Sequence, residues 1–135
     1  MVIDSSALIA YFRHEPGYQI VERTLLNGGV KLSSVNRTEI KGKLVGMGFA
    51  TPNQINEVFD DLAELLESIP FDLEQSDLAS FYYARRNPYN LSLGDCACLA
   101  LAEALKEDIL TAEHAWKKIP DLPFKVVLIR KHGSS

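Results

Sequence analysis

The stretch MVIDSSALIAYF, residues 1–12, sets a pattern that recurs along the chain. Residues 1–3 are a short apolar run that ends at Asp4, and such a run predicts a strand. From Ala7 to Phe12 the apolar side chains recur at helical spacing, which predicts a helix directly after that strand. The chain therefore opens with a strand, an acid and a helix.

The same alternation continues towards the carboxyl terminus. Further extended segments are predicted at 30–33, 69–71, 108–111 and 125–129. Further helices are predicted at 20–26, 35–46, 52–68, 73–86, from 92 onwards and, as a short helix, at 112–118. Thr51 is predicted to cap the helix that begins at Pro52. Short apolar strands between amphipathic helices indicate an α/β fold whose mainly parallel sheet is covered on both faces.

Length and composition are typical of one ordinary globular domain. The chain has 135 residues, of which 47% are hydrophobic and 24% are charged. We expect residues 1–130 to form that domain and 131–135 to be a frayed tail or a cloning remnant. The only cysteines, Cys96 and Cys98, are too close for an ordinary disulfide and lack the second pair of a zinc site. A reducing compartment, the cytoplasm, is therefore expected.

Hydropathy and charge argue against two further classes of protein. No apolar run approaches the roughly 18 residues of a membrane-spanning helix, and Asp4 interrupts the amino terminus before a signal-peptide core could form. We therefore expect no membrane association. The formal net charge is -4, so the chain lacks the overall positive field that drives indiscriminate nucleic-acid binding. Any nucleic acid must be bound by a local surface.

Four acids each follow a predicted strand or open a predicted helix. They are Asp4, Glu39, Asp95 and Glu113. Because the carboxyl ends of parallel strands share one edge of the sheet, we expect these side chains to converge there. Converging carboxylates repel one another unless cations lie between them, and oxygen atoms are the ligands that Mg²⁺ and Mn²⁺ prefer. The arrangement predicts a divalent-metal site.

Each acid also has a structural alternative. Two patterns resemble capping boxes, namely Ser92-x-x-Asp95 and Asn36-x-x-Glu39. Asp4 could cap the first helix, and Glu113 could favour the amino terminus of a helix. The fully apolar segment 96–102 argues against capping alone for Asp95, because its helix should be buried nearly all round and Asp95 should point into a cleft.

Other chemistries lack their motifs. The chain has no P-loop and no His-Glu-x-x-His pattern. Its three histidines, His14, His114 and His132, are scattered and are expected at the surface, although His114 beside Glu113 could lie near the pocket. The thiols of Cys96 and Cys98 are expected in the core, since no partner for a reactive thiol lies near them in the sequence. The carboxylates remain the main candidates for chemistry.

Four motifs together resemble those of PIN-domain proteins of the VapC type, the toxin half of bacterial and archaeal toxin–antitoxin pairs. The motifs are Val2-Ile3-Asp4-Ser5-Ser6-Ala7-Leu8, Ser34 to Glu39, Leu91-Ser92-Leu93-Gly94-Asp95-Cys96-Ala97 and Leu110-Thr111-Ala112-Glu113-His114-Ala115-Trp116. The resemblance extends from Met1 to about Ile129. The fourth motif usually carries Asp where this chain has Glu113, which makes Glu113 the one departure from the pattern.

The resemblance implies a three-layer α/β/α sandwich and an endoribonuclease that depends on Mg²⁺ or Mn²⁺. It assigns metal binding, direct or through waters, to Asp4, Glu39 and Asp95, with Glu113 at the rim of the pocket. The metal would activate a water for in-line attack on a phosphodiester of RNA. The expected products carry a 5′-phosphate and a 3′-hydroxyl.

Further polar side chains near the acids could contact the substrate. Ser6 and Ser92 each lie close to one of the acids, where a hydroxyl could orient a ligand or a phosphate, although helix capping is the alternative. Five basic residues are candidate phosphate contacts, with solvated surface charge as the alternative. They are Arg37, Lys41, Lys43, Arg85 and Arg86.

The segment 57–77 contains eight acidic residues and no basic one, which is typical of a solvated helix face and could also suit a basic partner. The resemblance implies such a partner, a VapB-type antitoxin whose tail lies in a groove of the amino-terminal helices and blocks the acidic pocket. It also implies a toxin homodimer. Two alternatives remain within the same fold: an inactive PIN module that binds RNA or a protein partner, and a PIN nuclease of RNA maturation.

Overall fold

The computed structural model describes residues 1–131, and its centre is a five-stranded sheet whose neighbouring strands are all parallel. The strands are Val2–Ile3 (β1), Val30–Ser33 (β2), Leu66–Ile69 (β3), Ile109–Thr111 (β4) and Val126–Leu128 (β5). Their order across the sheet is β3-β2-β1-β4-β5. The predicted parallel α/β fold is confirmed. Of the predicted tail 131–135 only residue 131 is described, and His132 also lies outside the described residues.

Helices cover both faces of this sheet. The α-helices are Ser5–Arg13 (α1), Tyr18–Leu26 (α2), Ser34–Gly46 (α3), Pro52–Asp61 (α4), Leu73–Ala84 (α5) and Leu93–Leu105 (α6). The short helix predicted at 112–118 is a 3₁₀ helix, His114–Lys118. None of the helices within residues 1–131 has the length and hydropathy that crossing a membrane requires.

Two apolar clusters make up the core, one on each face of the sheet. The first joins the sheet to α1, α2, α3 and α4, and the second joins it to α5 and α6. Adjacent residues of β1 divide between them, since Ile3 packs in the first cluster and Val2 in the second. Residues 96–102 of α6 are all at most 1% exposed, as predicted, and both cysteines are buried as free thiols. The result is the expected three-layer α/β/α sandwich.

The helix predicted at 52–68 is wrong in its second half. Thr51 and Gln54 form a capping box at its start as predicted, but α4 ends at Asp61. Residues 66–69 instead form β3, which pairs along its whole length with β2. The leucines after α4 keep helical spacing, yet pairing with β2 satisfies the backbone groups of this segment and buries Leu66. The extended piece predicted at 69–71 shares only Ile69 with β3.

The strand order reverses beside β1. The chain runs outward from β1 through β2 to β3, then returns to the other side of β1 to form β4 and β5. In open parallel sheets, ligands bind at the carboxyl ends of the strands where the strand order reverses in this way. The residues that follow β1, β2 and β4 are therefore the ones that face a crevice.

Gly17 allows a test of how α2 is fixed to the sheet. Gly17 precedes α2 with φ of 92°, and a Cβ atom there would overlap the carbonyl oxygen of Ile129. We expect Gly17→Ala to lower the unfolding free energy by about 2–3 kcal/mol, because backbone strain and overlap both oppose it. Gly42→Ala in α3 is the control, since a Cβ at Gly42 meets nothing within 4 Å, and it should gain about 1 kcal/mol. Urea denaturation measures both values, and equal stability of the two variants would contradict this packing.

Candidate functional site

Asp4 lies directly after β1, at the reversal point of the strand order, and is 3% exposed. Its carboxylate caps α1 by accepting a hydrogen bond of 2.9 Å from the backbone N–H of Ala7. The hydroxyl of Thr111 donates to Oδ2 at 2.7 Å, and the hydroxyl of Ser6 lies 2.9 and 2.8 Å from the two carboxylate oxygens. The capping alternative for Asp4 is therefore correct, and it places a carboxylate inside the crevice.

Burial dominates the electrostatics of Asp4. Desolvation raises the pKa of Asp4 from its ordinary value of 3.8 to about 7, although its three hydrogen-bond donors act in the opposite direction. The charge of Glu113 raises this pKa further. No lysine, arginine or histidine of residues 1–131 forms an ion pair with Asp4. The carboxylate is thus buried without a compensating positive charge.

The hydrogen bonds to Asp4 leave room for a cation. A carboxylate offers about four lone-pair sites. The N–H of Ala7 and the hydroxyls of Ser6 and Thr111 supply three hydrogens. One acceptor site of Asp4 is therefore left over, and an oxygen site of this kind suits a hard divalent cation.

Glu39 extends from α3 towards the same crevice. The hydroxyl of Ser5 donates to Glu39 Oε1 at 2.9 Å, and the side-chain amide of Asn36 donates to the same atom at 3.0 Å. The amide of Asn36 also donates to the carbonyl oxygen of Gly94 at 3.0 Å and so links α3 to α6. Because Ser33 caps α3, the expected Asn36-x-x-Glu39 capping box is wrong. The hydrogen bonds of Glu39 instead fix its carboxylate beside the start of α1.

Gly94 allows Glu39 to approach α6 closely. A Cβ atom at Gly94 would overlap the carboxylate of Glu39. Only glycine leaves that space free, and Asp95 is the next residue along the chain. The close approach explains how acids on α3 and α6 reach one region.

Asp95 has a structural and a site-facing role. Its carboxylate accepts a hydrogen bond of 2.9 Å from the N–H of Ser92, and the hydroxyl of Ser92 accepts one of 3.1 Å from the N–H of Asp95. This is the predicted capping box. Burial raises the pKa of Asp95, and the charge of Glu39 raises it further. The two acids are thus close enough to repel one another.

Glu113 follows β4 and is exposed. Glu113 stands at the amino terminus of the 3₁₀ helix, as the structural alternative has it, but its side chain makes no capping hydrogen bond there. Its backbone N–H donates to Thr111 Oγ1 at 3.0 Å, the same hydroxyl that donates to Asp4. Together with its effect on the pKa of Asp4, this contact places Glu113 at the outer side of the crevice.

Three of the four acids act on the buried thiol of Cys98. Its pKa is raised well above the ordinary range by burial and, in addition, by the charges of Asp4, Asp95 and Glu39. Yet no group of three or more His, Cys, Asp or Glu side chains within residues 1–131 is close enough to form a ready-made metal cluster. Mg²⁺ needs only one or two carboxylates, since it keeps several waters and binds substrate phosphates. The donor set fits such a cation.

The basic candidates contact other parts of the protein. Arg37 donates to Ser68 and, together with Lys41, lies over the ring of Phe59. Lys41 also donates to Asn56, and burial lowers the pKa of Lys41. None of these contacts involves a carboxylate of the site, so a role in phosphate binding stays a prediction.

Arg85 and Arg86 lie directly after α5. Arg85 donates to the carbonyl oxygen of Pro120 and lies over the Tyr82 ring, while Arg86 donates to the carbonyl oxygen of Tyr83. Arg86 is close enough to Cys96 for its charge to lower the pKa of that thiol, although burial raises this pKa to about 11 overall. Their contact with a phosphate also stays a prediction.

Three site residues were missed as candidates by the sequence analysis. They are Ser5, Asn36 as a partner of Glu39, and Thr111. Thr111 is fully buried at the end of an apolar strand, and a polar residue at that position was the available signal. Ser5 and Asn36 stand one and three residues from the acids Asp4 and Glu39 that they accompany, but nothing in their spacing predicted these hydrogen bonds.

Fold and site together define a class of protein: an open parallel α/β sheet with acidic residues where the strand order reverses. Within it, the chain belongs to the PIN domain family, whose profile matches residues 1–122. No curated protein sequence matches the chain significantly.

Solved structures share this fold over nearly the whole chain. A chain of the DNA-bound VapBC complex from Salmonella typhimurium has a TM-score of 0.74 and 16% identity and covers 96% of this chain and 97% of its own length. A chain of VapBC2 from Rickettsia felis, bound to a DNA fragment from its promoter, has a TM-score of 0.70 and 16% identity and covers 94% of this chain and 96% of its own length. A chain of a toxin–antitoxin complex from Klebsiella pneumoniae has a TM-score of 0.66 and 19% identity and covers 92% of this chain and 98% of its own length. At these identities the likeness concerns the fold.

The raised pKa of Asp4 predicts how stability depends on pH without metal. Between about pH 3.8 and pH 7, folded Asp4 holds a proton that the unfolded chain has lost. The unfolding free energy should therefore fall as the pH rises through this window, by at most about 4 kcal/mol, and this component should be constant above it. Asp4→Asn should remove the fall and should be more stable than wild type at pH 8.

Urea denaturation in chelator at several pH values measures this effect. Asp72→Asn is the control, because Asp72 is an exposed carboxylate that caps α5 in the same way. If Asp4→Asn and Asp72→Asn keep the same pH profile as wild type, Asp4 is not protonated in the folded protein near neutral pH.

Proposed function

We propose that this protein is a Mg²⁺- or Mn²⁺-dependent endoribonuclease and the toxin of a type II toxin–antitoxin pair. The observation that carries the proposal is the buried Asp4 carboxylate, which lacks a positive partner within residues 1–131 and keeps one acceptor site free. A cation at that position would remove the cost of burying the charge. Membership of the PIN domain family supports nuclease chemistry.

Asp4 and Asp95 would hold the cation, with Glu39 and Glu113 contributing directly or through waters. When bound, the cation activates a water for attack on a phosphodiester and offsets the charge that develops on the phosphate oxygens. Ser6 and Thr111 keep the Asp4 carboxylate in one orientation. Preorganised oxygen ligands of this kind do not have to rearrange when the substrate arrives.

The three structural neighbours support the toxin assignment, because each is a toxin–antitoxin complex. An antitoxin tail would fit the cleft of about 270 Å³ between α1 and α4, whose apolar walls include Tyr11, Phe12 and Leu62. Asp61 at the rim of this cleft belongs to the acidic stretch 57–77, which suits a basic tail. A toxin homodimer stays a prediction from the same resemblance.

Cleavage assays with purified protein test the nuclease proposal. Wild type should cut single-stranded RNA only when Mg²⁺ or Mn²⁺ is present. Asp4→Asn and Asp95→Asn should each lower the rate by roughly 100-fold or more, because a neutral amide supplies too little charge for a hard cation. Thermal melts check that both variants remain folded.

Thr51→Ala is the matched control for Asp95→Asn. It removes the capping box of α4, which lies away from the carboxylates, and costs about 1 kcal/mol of stability. It should cut RNA at the wild-type rate. Wild-type turnover in both carboxylate variants would exclude this metal site, and wild type that binds RNA without cutting it would favour the inactive PIN module.

Glu113 provides a finer test of the metal ligands. It is exposed and one methylene longer than the Asp expected by resemblance, so we propose that it reaches the cation through a water. Glu113→Gln should lower turnover less than Asp95→Asn, and Glu113→Asp should keep or raise turnover. Rates at saturating Mg²⁺ give the order. If Glu113→Gln is as inactive as Asp95→Asn, Glu113 is a direct ligand.

A further inference from the structure

A cleft that none of the four acids lines runs along β5, an edge strand of the sheet. Its volume is about 740 Å³, and its floor is residues 126–129 of the edge strand and its continuation. Ile20 of α2 lies at one side. An edge strand exposes backbone groups and is normally covered, short or protected by charge. Here the protection is by charge.

Four cations line this cleft. They are Lys117, Lys125, Arg130 and Lys131. No acidic residue lines it, although the whole chain carries a net charge of -4. Within residues 1–131 none of the four forms a salt bridge with a carboxylate. The cleft is therefore a local positive surface on an acidic protein, which attracts polyanions.

Backbone contacts join the carboxyl-terminal end of the cleft to the segment that carries two of the site residues. The backbone N–H of Ile129 donates to the carbonyl oxygen of Thr111 at 3.0 Å, and Thr111 in turn donates to Asp4. Nε2 of His114 contacts the carbonyl oxygen of Arg130 at 3.0 Å, and His114 follows Glu113 directly. The short segment that carries Glu113 also supplies Lys117. The carboxyl-terminal end of the cleft therefore lies next to the strand end that Asp4 and Glu113 share.

We propose that this cleft binds the sugar-phosphate backbone of the RNA substrate and directs it into the carboxylate site. The proposal rests on the nuclease function proposed above. It concerns binding alone, so Lys117, Lys125, Arg130 and Lys131 contact phosphates away from the bond that is cut. From Lys125 to Arg130 the chain spans roughly 16 Å at about 3.3 Å per residue, enough for several nucleotides of an extended strand.

An acidic peptide added to the edge of β5 is the competing occupant. Two observations favour RNA. The cations stand at the two ends of the strand and on the neighbouring 3₁₀ helix, not along the middle of the edge where a peptide strand would pair. The carboxyl-terminal end of the cleft also adjoins the strand end that carries the carboxylates, since Ile129 pairs with Thr111, so RNA bound there would lie near its proposed cleavage site.

Binding measurements on a non-cleaving background isolate this surface. The probes are an unstructured oligoribonucleotide and a polyglutamate peptide, each titrated into Asp4→Asn protein by fluorescence anisotropy. Adding Lys117→Glu and Lys125→Glu should weaken RNA binding about tenfold or more and should flatten its salt dependence by roughly 0.7 for each lost phosphate contact. Arg23→Glu with Lys106→Glu is the matched control, since both residues are exposed and line no part of the cleft.

Kinetics of the otherwise wild-type chain separate this proposal from the nuclease function. The Lys117/Lys125 variant should raise KM for long RNA with little change in kcat, and the control variant should change neither. Two results would overturn the cleft as an RNA-binding surface even if wild type cuts RNA. One is equal RNA affinity in both double variants, and the other is loss of polyglutamate binding without loss of RNA binding. Cleft-dependent RNA binding by a wild-type chain that never cuts RNA supports the cleft and overturns the nuclease function.

Discussion

Burial of the Asp4 carboxylate at the reversal point of the strand order is the constraint on which the rest of the site depends. An ionised carboxylate in an apolar interior is destabilising by several kcal/mol unless hydrogen bonds or a cation compensate. Its donors come from both sides, Ser6 and Ala7 from α1 and Thr111 from β4. β1, α1 and β4 must therefore be correctly assembled before Asp4 can be accommodated. Folding of the central strands and formation of the site are one event.

Helix capping and the proposed metal binding involve the same carboxylates, so the two interpretations of the sequence are not exclusive. Asp4 caps α1 and Asp95 belongs to the capping box of α6. Both helices begin near the carboxyl ends of the strands. There the positive end of each helix dipole favours a negative group. A capping hydrogen bond also fixes the carboxylate rotamer before any cation arrives. The two carboxylates can thus be rigid although each lies where a loop joins a helix. Rigid ligands suit Mg²⁺, a small ion that demands near-ideal octahedral geometry.

Much of this fold could be predicted from local patterns, and the failures have a common physical cause. The buried helix α6 followed from the apolar run 96–102, and the start of α4 followed from Thr51 and Pro52. β3 could not be found in this way, because residues 62–68 carry a helical pattern, and the strand at 66–69 forms only by pairing with β2. The site shows the same division. The acids stand out in the sequence, but the contact of Gly94 with Glu39 joins two distant helices and has no local signal.

A site built from carboxylates repels the phosphodiester chain that it is proposed to cut, so the attraction must come from other groups. The edge strand β3 adds to the repulsion, because it lies within the acidic stretch 57–77. At physiological salt, charges act over about 8 Å. The guanidinium of Arg130 donates to the carbonyl oxygen of Pro16, and Lys125 stands just before β5, at the end of the strand opposite to the acids. Lys125 therefore acts on phosphates remote from the cut, and a substrate must be long enough to reach it before the cleft can offset the charge of the acids.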